Sequence, residues 1–344
     1  MNEAAPKSGV QNPAQTLADA VAWRPVLEPV LKAFEPLLSA RAALVPELAD
    51  CLRKSGCSLP EMLPGRAAQG VPLLAGRTLN GIAAPLRAAA EELLPLIGGI
   101  EAMAPHMPSL KAFFSRPVEP DAAEAEKGEA RKLPDDQAQK RGEADARQTL
   151  AEAVVAGDRK AVARIAREAG VEPLILEFAS AFVVSAALRA MTALALSDTG
   201  EAPWNKEGEA WRQGNCPVCG SLPSIAWLDK PVIDEKNAFL AGGGGKKHLH
   251  CGLCGADWAF RRGACPSCGQ EGNGVIEILR EDGPAHGERL DWCTKCKGYC
   301  PTVDLREREF VPDPDAAAMG MMHLDMVATR KKLRPLRPSF WNMF

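Results

Sequence analysis

Cysteine placement constrains this chain more than any other feature of it. Nine of its eleven cysteines lie between 216 and 300, and eight of those form four C-x-x-C pairs: Cys216/Cys219, Cys251/Cys254, Cys265/Cys268 and Cys293/Cys296. A two-residue gap lets both sulfurs of a pair reach one ion, while backbone N–H groups turn toward them and offset part of the thiolate charge. Glycine after the second cysteine permits left-handed backbone, and proline after the first pre-sets the turn. Gly220, Gly255 and Gly269 supply the first feature, and Pro217 and Pro266 the second. Four thiolates suit a tetrahedral Zn²⁺ or a rubredoxin-like iron, so the spacing predicts two metal ions, Fe or Zn, each held by four cysteines. A thioredoxin-like dithiol reading lacks the βαβ context it needs.

The partition of eight sulfurs into two fours follows from chain length. Between the first and second pairs lie 31 residues and between the third and fourth 24, either of which fits a strand–turn–strand ribbon. Only ten residues separate the second pair from the third, which would force the outer pairs to meet around them. Two consecutive ribbons are therefore expected, Cys216/Cys219 with Cys251/Cys254 and Cys265/Cys268 with Cys293/Cys296. Such sites most often staple a domain too small to hold itself together, and a redox role would require iron. Cys300 reads as a thiol in the last strand, Cys51 and Cys57 as ordinary thiols of the helical half. His248 and His250 could support the second pair, but eight cysteines already fill two sites. His323 reads as one residue of an amphipathic face. Glycines 242–245 lack the Lys-Ser/Thr ending of a phosphate loop and read as a hairpin tip.

The chain changes character near residue 200. Before it, Ala- and Leu-rich runs carry helical period: Trp23, Val26, Leu27, Val30, Leu31 and Phe34, with Pro25 and Pro29 leaving that helix's start open; Leu86, Ala90, Leu93, Leu94 and Ile97, with Pro95 expected to kink or shorten that helix; Val162, Ile165 and Ala166 between Asp158 and Gly170. Pro173 opens a helix expected to run to about Leu196. Its stretch 178–196 is interrupted by Arg189 and diluted with Ala and Ser, so a buried helix is expected and no membrane span. Between residues 200 and 298, seventeen of the 30 glycines and five of the seven tryptophans accompany short β-prone runs at 224–228 and 275–279. These describe small hairpins around metal rather than a sheet with a large core. The expected organisation is α+β: a disordered terminus over 1–15, a helical domain over 16–200 with a charged linker or insert at 121–148, four-cysteine ribbons over 205–260 and 261–310, and a C-terminal helix and tail over 313–344.

A net charge of −3 gives no general attraction to nucleic acid, and none is expected as a partner. The first residues show no charged-then-apolar signal, so a reducing, cytoplasmic setting is expected. Trp227, Trp258, Phe260, Arg261 and Arg262 form one candidate contact patch. The basic tail Arg330, Lys331, Lys332, Arg334 and Arg337 forms another. No acid/base, nucleophile or phosphate-binding constellation stands out, so no catalytic residue is named.

The stretches 216–223, 249–258, 262–269 and 293–299 read CPVCGSLP, LHCGLCGADW, RGACPSCG and CTKCKGY. In order and dressing they resemble FdhE, the formate dehydrogenase accessory protein family, over roughly 205–305. Val303-Asp304 followed by a helix near Asp315 is similar too, whereas the insert 121–148 and the ending SFWNMF depart from it. The resemblance implies a cytoplasmic, non-catalytic maturation factor that binds the catalytic subunit of a molybdenum or tungsten formate dehydrogenase and carries rubredoxin-like iron. Two other classes stay open: a redox or electron-transfer protein using such iron, and a nucleic-acid-binding zinc-ribbon protein. Whether the chain acts as monomer or homodimer is also open.

Overall fold

The computed structural model describes residues 9–116, 145–199, 202–205, 211–230 and 245–342. Its first half is helical: α1 (Pro13–Trp23), α2 (Glu28–Ala43), α3 (Val45–Ser55), α4 (Pro64–Ala68), α5 (Ala83–Gly98), α6 (Met107–Phe114), α7 (Ala146–Ala156), α8 (Arg159–Glu168) and α9 (Pro173–Thr199). Local chemistry sets several of these ends. Asn12 and Gln15 form a reciprocal capping box ahead of Pro13. Asp158 accepts the Ala161 amide at the start of α8, and Gly157 stops α7 at φ +68°. Glu172 accepts the Ile175 amide at the start of α9.

Helix α9 is the axis of this half, packed by α2, α3, α5, α7 and α8. Val183, Val184, Ala186, Ala187, Leu188, Ala190 and Met191 are all fully enclosed. By length and composition it could cross a membrane, but 72% of its apolar window is buried inside the molecule. A helix apolar on every side needs neighbours on every side, and here protein supplies them.

Three expectations change. Residues 9–12 are ordered rather than part of a loose terminus, with Gln11 bonded to the Val311 carbonyl (2.8 Å); residues 1–8 lie outside the described set. Pro95 does not end α5, because Leu93, Leu94 and Ile97 bury its last turn in the core. Of the charged stretch 121–148, residues 121–144 fall outside the described residues, but 145–148 open α7. There Arg147 is only 1% exposed, held by Asp145 and the Phe114 carbonyl (3.0 Å).

The second half is built on one mixed sheet: β1 (Ile225–Leu228), β2 (Lys247–His250), β3 (Asp257–Phe260), β4 (Ile276–Leu279), β5 (Glu288–Cys293), β6 (Gly298–Asp304) and β7 (Arg334–Pro335). The order is β3-β2-β1-β6-β5-β4, with β7 on β6. Each ribbon repeats one plan: a knuckle, two antiparallel strands, a second knuckle, a third strand. Parallel pairing of β1 with β6 (Ala226 opposite Thr302, Leu228 opposite Asp304) fuses the ribbons, so they are not separate hairpins. Lys247 of β2 and Asp291 of β5, both buried, pair at 2.7 Å and tie the ribbons further.

Strand β6 is buried along its whole length under α10 (Pro314–Gly320) and α11 (Met322–Arg330). One C-terminal helix was expected and two short ones occur. They divide at Met321, next to Gly320, where Ala20 of α1 comes so close that an added Cβ would lie 3.0 Å from it.

Candidate metal centres

The four knuckles gather their sulfurs in two fours, with the expected partition. Cys216, Cys219, Cys251 and Cys254 form one cluster and Cys265, Cys268, Cys293 and Cys296 the other, each with all sulfurs within 4.8 Å of one another. In the first, Cys216 and Cys254 lie 3.4 Å apart, as do Cys219 and Cys251. In the second, Cys265 lies 3.6 Å from Cys296 and Cys268 3.7 Å from Cys293. Four sulfurs at about 2.3 Å from a central ion would stand roughly 3.8 Å apart. Disulfide bonding at about 2.05 Å is far shorter. The donor sets therefore fit tetrahedral metal, Zn²⁺ or iron, at both places.

Each knuckle is one tight turn. The residue after the second cysteine donates its amide to the first cysteine's carbonyl: Gly220 to Cys216 (3.0 Å), Gly255 to Cys251 (2.8 Å), Gly269 to Cys265 (3.0 Å) and Lys297 to Cys293 (2.9 Å). That closure turns backbone amides onto sulfur. Burial pushes the Cys265 thiol up, against the amides of Cys268 and Ser267, which pull it down. At Cys293 burial also opposes ionisation, but the amides of Cys296 and Lys295 and the neighbouring thiols prevail and bring it to about 7.

The two clusters differ sharply in surroundings. All four cysteines of the first are buried and belong to the large core that fills the helical half. Burial pushes Cys216 and Cys254 up, while hydrogen bonds from the other three thiols hold Cys251 down. A pocket that resists more than one thiolate needs a cation to hold four. In the second cluster Cys268 is exposed and Cys296 half-buried. Its own core consists of Cys265, Val275 and Cys293. So little apolar burial cannot hold a loop in place, and a bound ion would have to do so.

The first cluster is also bolted to the helical half. The carbonyls of Pro217 and Val218 accept the amides of Leu73 (2.8 Å) and Leu74 (2.9 Å). From α9, Ser185 donates to the Leu253 carbonyl (2.7 Å) and Arg189 to the Gly252 carbonyl (3.0 Å). Arg189 and Arg41 both pair with Asp315 at the start of α10 (2.5 and 2.8 Å). Burial works against the Asp315 carboxylate, yet Arg189, Arg41 and His250 hold it well below the usual carboxylate range. His250 itself resists charging by burial, but Asp257 (2.6 Å) and Asp315 raise it to about 10. His250 thus braces the knuckle from outside the sulfur cluster. His248 turns to Asp229 (2.8 Å) and stacks on Trp227. Neither histidine joins a cluster.

This brace of Ser185, Arg189, Arg41 and Asp315 escaped the sequence reading. The available signal was Arg189, a lone cation in an apolar helix. Other candidates settle as follows. Cys300 is a buried thiol of β6, Cys51 lies in α3 and Cys57 is buried near it. His323, on α11, is half-buried 3.5 Å from Glu281. Gly245 borders β2, and 242–244 lie outside the described residues. Of the first contact patch, Trp258 is 0% exposed and donates to the Gln213 carbonyl (3.1 Å), so it is core, whereas Arg261 and Arg262 are exposed and Trp227 and Phe260 half-buried. The basic tail is not simply solvated either: Arg334 pairs with Gly298 in the sheet.

No family model matches the chain. Among curated relatives it is 29% identical over 122 residues to an FdhE homolog of Aquifex aeolicus. It is 34% identical over 107 residues to one of Shewanella baltica and 26% over 133 residues to one of Haemophilus ducreyi. These matches cover 31–38% of this chain and span 31–39% of the relatives' own length. The crystal structure of the FdhE protein from Pseudomonas aeruginosa superposes with a TM-score of 0.51, covering 96% of this chain and 93% of that one at 19% identity. Over about a third of its length the chain is similar in sequence to FdhE homologs, and over nearly its full length it shares the fold of the Pseudomonas aeruginosa FdhE protein. The full-length superposition shows that the FdhE fold includes both the helical half and the cysteine-bearing sheet, where the sequence likeness covers about a third of the chain.

Proposed function

We propose that this chain is a member of the FdhE family and a cytoplasmic, non-catalytic accessory factor. It binds the catalytic subunit of a molybdenum or tungsten formate dehydrogenase and assists its assembly, with both four-cysteine sites loaded by Zn²⁺ or iron. The observation that carries the reading is the likeness to FdhE homologs in sequence and fold, joined to two closed, all-sulfur donor sets. Four sulfurs leave no open coordination position for a substrate or water, which suits holding a shape better than metal hydrolysis. A helical body braced to a metal-held sheet is a stiff surface on which an unfinished subunit can rest.

Affinity capture tests this. The purified metal-loaded chain is expected to retain a catalytic subunit lacking its cofactor and to bind the finished enzyme more weakly. Equal retention of both forms, or of neither, contradicts it.

The exposure of Cys268 and Cys296 favours a second reading for the second site alone, a rubredoxin-like iron that exchanges electrons at the surface. Protein purified without oxygen would then redden on oxidation and bleach on reduction. Colourless protein with two zinc ions per chain removes that reading.

A further inference from the structure

Beyond β7 the chain leaves the sheet, and Phe340 and Trp341 lie against α9 and α2. Leu336 still donates its amide to the Tyr299 carbonyl (2.9 Å). Past that point the hydrogen bonds are internal to a turn: Ser339 N–H to Asn342 Oδ1 (2.6 Å), Asn342 N–H to the Ser339 carbonyl (3.2 Å), and Asn342 Nδ2 to the Arg337 carbonyl (3.3 Å). Rings attach this turn to the body. Phe340 meets Phe178 edge-on at 4.8 Å between centroids, and Trp341 meets Phe34 at 6.3 Å. Phe34, Phe178 and Phe182 form one aromatic floor at 5.4–6.4 Å from each other.

The fit beneath the turn is incomplete. A cavity of about 100 Å³ remains, lined among others by Phe182, Pro301, Asp325, Arg337 and Ser339. Among the described residues, two buried atoms there have no hydrogen-bond partner, Asp325 Oδ2 and Ser339 Oγ. Asp325 is 1% exposed, and its other oxygen takes the Tyr299 hydroxyl (2.6 Å). Burial, opposed by the Tyr299 hydrogen bond, raises the Asp325 carboxyl to about 7. A buried carboxylate oxygen without a donor costs stability and is uncommon unless something else completes it. Arg337 reaches the cavity but not that oxygen.

We propose that the groove between α2 and α9 is a peptide-binding groove and that the tail is its resident occupant in cis. Its ligand in trans is an extended segment of a partner polypeptide. That segment carries an aromatic pair for the Phe34–Phe178–Phe182 floor and, upstream of it, a basic side chain that reaches Asp325. The tail displays the same pattern, with Arg337 three residues before Phe340, but leaves the Asp325 donor position unfilled. A ligand that fills it displaces the tail. The proposal rests on the accessory reading for the existence of such a partner, whereas its test uses no formate dehydrogenase, so the two fail separately.

The probe is a synthetic peptide with the sequence of residues 334–344, titrated into the full metal-loaded chain. One sample is unaltered; a second carries Phe340→Ser and Trp341→Ser to empty the groove. A tail that occupies the site lowers apparent affinity by the fraction of open molecules, so the altered chain should bind at least about tenfold tighter. Adding Phe178→Asp to the altered chain should abolish binding. A second peptide carrying Ser339→Lys, which places an amine in the cavity beside Asp325, should bind the altered chain more tightly than the first, and Asp325→Asn should erase that difference. Equal binding by both chains, no binding by the altered one, or no gain from the peptide's added lysine overturns the proposal. Metal content of two ions per chain certifies folding. Should the altered chain fail that check, excess peptide on the unaltered chain must speed hydrogen exchange of the 339–342 amides; unchanged exchange overturns the proposal.

Discussion

Gly220, Gly255 and Gly269 follow the second cysteine of three knuckles at φ +80°, +72° and +72°, and Lys297 takes the same place in the fourth at φ +61°. The turn needs left-handed backbone at that point, which an L side chain adopts at a cost of about 1 kcal/mol. Space decides how much more a substitution costs. At Gly269 an added Cβ meets nothing within 4 Å, so Gly269→Ala is expected to cost only that strain, about 1 kcal/mol in chemical denaturation. At Gly255 the new carbon would lie 3.1 Å from Arg189 Cγ, and Gly255→Ala should cost more by displacing the brace. Equal losses at the two positions would contradict this account of the turn.

Asp325 offers a second residue-scale test. Its carboxyl is raised to about 7 in the folded chain against about 3.8 free, so the folded state prefers the proton. Such a group lends full stability below the free value and withdraws it as pH rises through the folded one. Asp325→Asn should therefore stabilise the chain by a few kcal/mol at pH 8, about 2 or more, with the advantage vanishing near pH 4. A pH-independent difference would count against the burial argument.

At the scale of elements, α9 does two jobs, filling the core of the helical half and presenting Ser185 and Arg189 to the knuckle carbonyls. Arg189→Met would leave the Gly252 carbonyl without its donor and Asp315 with less positive charge beside it. Breaking one partner of a buried ion pair typically costs about 3 kcal/mol or more. Ser185→Ala removes the bond to the Leu253 carbonyl and the acceptor of Arg189 Nε (3.1 Å), and should cost about 1–2 kcal/mol, less than Arg189→Met. Urea titration of both variants checks the order. The same scale explains what could be read in advance. Knuckles, the helix cap at Asp158 and the core stripe of α5 are local patterns, so spacing revealed them, whereas the Asn12 cap lay in a stretch expected to be disordered. The brace is not local: Arg41, Ser185, Gly252 and Asp315 meet only once the chain has folded. Fusion of the ribbons was hidden for the same reason, because β1 and β6 pair across some seventy-five residues of sequence. The break at Gly320 depended on a neighbour, Ala20, that the sequence pattern does not place.

For the whole molecule the decisive fact is asymmetry between two chemically matched clusters. The first lies where the sheet meets the helical half, buried and braced from both sides. The second lies on a three-residue core with one cysteine open to solvent. A metal there can be reached by chelators and oxidants without unfolding, whereas release from the first requires the halves to part. Staged chelation of the metal-loaded chain, with metal counted and free thiols alkylated and mapped at each stage, tests this most directly. The account predicts that one ion leaves first, that Cys265, Cys268, Cys293 and Cys296 become labelled then, and that the helical half stays folded with the other four thiols protected. Simultaneous loss of both ions, or labelling of Cys216, Cys219, Cys251 and Cys254 first, would contradict it.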